Sequence, residues 1–163
     1  MPSVAIIGSF RRHYEQVLQA REIFQANGIT VNTPLGNPVL DENALFVRFD
    51  EEFEGEDDPT VQSYALHRIM RADAVYVVLP GRYIGRTSSY EVGRIIQAER
   101  YVYFSEEPHD LPIRVPKEYV VGAEQLANII LGKNGKLGSL HAEGEDRCSI
   151  LERRLLSRDL AQD

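Results

Sequence analysis

Three continuous apolar runs mark the chain: Val4-Ala5-Ile6-Ile7, Ala74-Val75-Tyr76-Val77-Val78-Leu79 and Tyr101-Val102-Tyr103-Phe104. Each is short, β-branched or aromatic, and lacks polar alternation, as strands buried on both faces do. Ile29 to Thr33, closed by Pro34, and Glu118-Tyr119-Val120-Val121 complete a set of five strands. Between them the apolar period changes to that of a helix. Tyr14, Val17, Leu18, Arg21 and Phe24 share that spacing up to the stop at Asn27-Gly28. Thr60 to Arg71 follows it too, with Val61, Ala65, Leu66 and Ile69 inward and Thr60 placed as a cap. Val92, Ile95 and Ile96 form the stripe of a helix after the central strand, and Ala123 to Leu131 forms another. Ile150, Leu151, Leu155 and Leu156 do the same for a last helix over Cys148–Leu160.

Strands that alternate with helices predict an α/β protein with a parallel sheet and right-handed crossovers. Five strands suit a flavodoxin-like or Rossmann-like three-layer fold of order 2-1-3-4-5, whose ligand crevice lies between strands 1 and 3. Residues 1–131 then make one α/β domain, and 132–163 a glycine-containing flexible connector with the terminal helix.

Composition narrows the function. The 163 residues, 43% hydrophobic and 26% charged, describe an ordinary globular chain. There is no run of membrane-span length and no signal-peptide pattern after Met1, so a cytoplasmic location without membrane attachment is expected. The net charge of −7 argues against binding a nucleic-acid polymer. Residues 41–58 hold nine acids against Arg48 alone, an acidic insertion that reads as a solvated loop or a lid. Cys148 has no partner cysteine, and the four histidines lack metal-ligand spacing, so no zinc site is expected.

The candidate chemistry follows strands 1 and 3. The first runs into Gly8-Ser9-Phe10-Arg11-Arg12, a turn whose free amides and guanidinium groups suit an anion, or simply a tight turn. The third runs into Pro80-Gly81-Arg82-Tyr83-Ile84-Gly85, then Ser88-Ser89-Tyr90-Glu91. Glu91 has two readings. Ser88 and Glu91 match the capping box, in which both close amides of a helix start; alternatively Glu91 is a carboxylate presented at the crevice. Tyr83 is a candidate ligand contact or a half-buried structural tyrosine. Asp73, at the other end of the central strand and on the order of 20 Å away, reads as structural.

Gly8-Ser9-Phe10-Arg11, Ala72-Asp73-Ala74-Val75 and Tyr83-Ile84-Gly85 leading to Tyr90-Glu91-Val92-Gly93 together resemble the nucleoside 2-deoxyribosyltransferase-like superfamily. The likeness is to its nucleoside and deoxynucleoside monophosphate N-glycosidase branch and covers roughly residues 3–105. It implies that Glu91 is the nucleophile, and that Ser9 to Arg11, with Ser88, hold a 5′-phosphate. Gly8, Phe10, Tyr83, Gly85 and Ser89 would complete the substrate site. It implies no cofactor and no metal, a small nucleotide or nucleoside as ligand, and a homodimer or larger assembly. The Glu91 helix around Ile95-Ile96 and the terminal helix are the candidate interface pieces. Two departures stand out: Ala65 occupies the place of an expected acid, with Tyr64 and His67 nearby, and the acidic insertion is foreign to compact members. The loop is also similar to that of cytokinin-type nucleotide phosphoribohydrolases, though the spacing differs. N-glycosidic cleavage is the expected activity, with nucleotide sensing without turnover as the alternative.

Overall fold

The computed structural model describes residues 1–9, 12–32 and 55–162. Phe10, Arg11 and most of the acidic insertion lie outside them. Four parallel strands, β1 (Ser3–Gly8), β2 (Thr30–Val31), β3 (Ala74–Val78) and β4 (Val102–Phe104), form one sheet of order β2-β1-β3-β4. The helices are α1 (Tyr14–Ala26), α2 (Asp58–Met70), α3 (Arg86–Gln97), α4 (Ala123–Ile130) and α5 (Arg147–Ser157).

The expected fifth strand is corrected. Lys117–Tyr119 is a 3-10 turn, and only Val120 pairs, in a single parallel bridge to Phe104. Pro116, one residue ahead of the turn, has no amide hydrogen to give a ladder. Gly122 then opens α4, so no length of chain is left for a strand.

Alternate residues of the central strands serve opposite layers, as the twofold strand period requires. Ala5, Ile7, Val75 and Val77 pack with Ile69 of α2 and with Val92 and Ile95 of α3. Val4, Ile6, Tyr76 and Val78 pack with Val17 and Phe24 of α1 and with Leu126 of α4. Full burial of a side chain such as Phe24 or Ile95 contributes about 1.5–3 kcal/mol. Ile95 is wholly buried and Ile96 packs against the same cluster, so α3 spends its apolar residues on its own core. Ile150, Leu151 and Leu155 of α5 are exposed instead.

Residues 132–146 are fastened to the body. Leu140 belongs to the core, Tyr119 donates from its hydroxyl to the Ser139 carbonyl at 2.7 Å, and the Gly138 amide donates to Tyr103 Oη. At the amino edge of the sheet, Asp73 Oδ2 accepts from the Ser3 amide at 2.8 Å and its hydroxyl at 3.0 Å. Asp73 thus ties β1 to β3 far from the strand ends that carry the candidate chemistry. No helix among the described residues is long and apolar enough to cross a membrane.

Candidate functional site

β1 and β3 are neighbours in register from Val4↔Ala74 to Gly8↔Val78, so the turns that follow them leave the sheet side by side. Their closeness fixes Gly8: a β-carbon there would lie 2.6 Å from the Val78 carbonyl oxygen. Ser9 closes the first turn. Its carbonyl accepts from the amides of Arg12 and His13, and its hydroxyl oxygen accepts from the Arg12 amide at 3.3 Å. Hence the Arg12 amide already serves the turn, while the Ser9 hydroxyl, which only accepts there, keeps its hydrogen for an anion.

The second turn is a 3-10 element, Pro80–Arg82, in which Gly81 (φ 71) and Arg82 (φ 66) are left-handed. Arg82 tolerates a conformation that favours glycine because its ends are held. Its Nε donates to the Glu107 carbonyl at 2.9 Å, its own carbonyl accepts from the His109 amide, and the Gly81 amide donates to Glu106 Oε2. The fold thereby delivers Tyr83 to the first turn. The Arg12 guanidinium lies 4.3 Å from the Tyr83 ring centre, and the His13 ring meets Tyr83 edge-on at 6.1 Å. The two turns expected to meet do so through Arg12, His13 and Tyr83.

Glu91 does not cap the helix. α3 starts after Gly85, its N-cap, with no side-chain cap, so Ser88 is the third helical residue and Glu91 the sixth. That is the second turn, where backbone amides are already bonded. The capping-box reading, and with it a place in the first turn, is therefore corrected. Ser89 is committed as well, its hydroxyl donating to the Gly85 carbonyl at 2.8 Å. Ser88, Glu91, Val92 and Ile95 form the buried stripe of α3.

A helix that leads into a parallel strand descends from the carboxyl edge of the sheet, and the next helix starts from that edge again. The amino-terminal halves of α2 and α3 accordingly come within reach of each other. Gln62 of α2 donates from Nε2 to Glu91 Oε2 at 3.3 Å. Glu91 is only 7% exposed, and burial raises its carboxyl from 4.5 to about 7 despite the opposing hydrogen bond from Gln62. Both the acid and the carboxylate are therefore accessible near neutral pH, so the group can act as nucleophile, base or acid.

Gln62 and His13 escaped the sequence reading. A single glutamine in an amphipathic helix carries no signal; its partner is 29 positions away and appears only when α2 and α3 pack on one face. His13 is buried, and its Nδ1 has no hydrogen-bond partner among the described residues. Burial and the adjacent Arg12 push its pKa down, while Glu106 pushes the other way. Of the residues near Ala65, His67 sits exposed in the last turn of α2, about 7.5 Å along the axis from Gln62. Tyr64 is half exposed. A separate groove of about 1370 Å³ runs between residues 112–119 and 134–148, and neither Glu91 nor Tyr83 lines it. No protein-family model, curated protein or solved structure matches the chain, so the family likeness rests on the residues quoted for it.

Proposed function

We propose that the protein cleaves the N-glycosidic bond of a nucleoside 5′-monophosphate, with Glu91 as nucleophile. The observation that carries this reading is a buried carboxyl held by the Gln62 amide, on the helix that follows β3 in a sheet whose β1 and β3 turns meet through Arg12 and Tyr83. A Glu91 oxygen bonds to C1′ as the C1′–N bond breaks, and the electron pair leaves on the base, which takes a proton from solvent. Water then attacks C1′, releases the carboxylate and returns a proton to solvent. A carboxyl whose burial disfavours its charge gains most when a cationic sugar forms against it. A transferase would differ only in using a second base in place of water.

Ala65 supports a second reading, in which the crevice binds a nucleotide without cleaving it. A panel of nucleoside monophosphates separates the two: free base detected by chromatography supports cleavage, and saturable binding without free base supports a sensor.

The phosphate preference rests on Arg11, which the resemblance places in the anion-binding turn. Arg11→Ala is expected to weaken nucleoside monophosphate binding about ten- to a hundred-fold, the range for a charge-assisted contact. The matching nucleoside should lose little, and equal losses by calorimetry would show that Arg11 does not bind phosphate. For assembly, the exposed stripe Ile150, Leu151 and Leu155 supports a symmetric dimer through α5. Sedimentation at micromolar concentration is expected to give twice the 18.5 kDa chain mass, reverting to the monomer in Leu151→Glu.

A further inference from the structure

Gln62 presents two ends of one amide beside the reacting carboxyl. Nε2 is committed to Glu91 Oε2. Oε1 is buried and has no hydrogen-bond partner among the described residues. A buried acceptor without a donor is unfavourable, so native structures rarely leave one unless something outside the protein supplies the hydrogen. The ligand is the natural source here, because the other end of the same amide already touches the group proposed to attack it.

The chemistry of a nucleotide narrows which hydrogen that is. Glu91 attacks C1′, and one neighbour of that carbon is the ring oxygen, which has no hydrogen to give. The other is C2′, whose hydroxyl is the sugar donor nearest the point of attack. We infer that Gln62 positions Glu91 and also selects the sugar: Nε2 holds the carboxylate, and Oε1 accepts from the 2′-hydroxyl of a ribosyl substrate. A 2′-deoxyribosyl substrate has nothing to place there. This inference rests on the proposed cleavage at Glu91 and specifies its substrate. A site built around a hydrogen bond discriminates strongly against the analogue that lacks it, because the protein acceptor is then left unpaired. Deoxyribosyl bonds break more readily by themselves, since no electronegative 2′ substituent opposes the developing cation. The change in preference between native protein and variant is therefore the diagnostic quantity.

The experiment compares the full chain with Gln62→Met and Gln62→Leu, using paired ribo- and 2′-deoxyribonucleoside 5′-monophosphates. In both variants the ribo-to-deoxy ratio of kcat/KM is expected to fall about ten- to a hundred-fold. The acidic limb of kcat/KM should also move to higher pH, because the Glu91 carboxylate loses its donor. A purely structural glutamine would move neither, and Gln62→Met keeps enough volume to guard against misfolding. An unchanged ratio overturns the assignment even where base is released. Where no base is released, the same pairs are titrated calorimetrically. Ribo-selective binding that Gln62→Met abolishes then upholds the sugar contact while the cleavage reading falls. Equal binding of both sugars, or none, overturns the sugar contact.

Discussion

Glu91→Gln is expected to abolish base release while leaving the protein folded and, above pH 7, more stable than the native chain. Loss of a covalent nucleophile should lower kcat by a factor on the order of 10⁴ or more, because a neutral amide cannot displace the base. The stability gain follows from linkage. The Glu91 carboxyl titrates near 7 when folded against an ordinary 4.5, so between those values the native state holds a proton that the unfolded chain has released. Its contribution is complete below about 4.5 and is lost as pH rises through 7, a difference of roughly 3 kcal/mol. Glutamine has the same shape and no charge to bury. Urea unfolding should therefore show the variant ahead by up to about 3 kcal/mol at pH 8 and level with the native chain near pH 4. A variant that still releases base would remove Glu91 from the mechanism, and one equally weakened at every pH would remove it from this linkage.

The next largest effect is expected from Gly8→Ala. The added carbon would stand 2.6 Å from the backbone oxygen of Val78 and 3.5 Å from its β-carbon, at the last paired position of the two central strands, where relief requires the backbones to part. Overpacking of this kind costs about 1–3 kcal/mol and here would pry apart the strands that bring the two turns together. Gly93→Ala is the matched control. It lies inside α3, where an added β-carbon meets nothing within 4 Å, and alanine should stabilise the helix by about 0.8–1 kcal/mol. Denaturant midpoints should move in opposite directions. If Gly93→Ala nonetheless loses ligand affinity, the glycine is there for the substrate and not for the helix.

The sequence revealed the sheet because β1 and β3 are buried on both faces, and such strands cannot conceal their apolar runs behind polar alternation. Order and switch point followed from the alternation of strands and helices. The fifth strand failed because Val120 and Val121 look strand-like in isolation, while the lengths taken by the 3-10 turn and by α4 are set only in three dimensions. Ser88 to Glu91 misled for a related reason: the capping pattern is local, and it cannot know that Gly85 has already begun the helix. The place of Glu91 on the helix that follows β3 was legible from strand, loop and helix order. Its buried environment and its glutamine partner depend on α2, whose approach no local pattern encodes.

The central place of β1 has a consequence for the birth of the chain. β1 is made first, yet its main partner β3 follows about 70 residues later, the separation of Ser3 from Asp73. At the usual pace of synthesis that interval is roughly 4–14 seconds. During it Val4-Ala5-Ile6-Ile7, apolar and uncharged, has one open edge and no settled core to enter. Nascent chains stalled before Ala74 should accordingly be captured by holdase chaperones or aggregate, whereas those stalled well past Phe104 should remain dispersed.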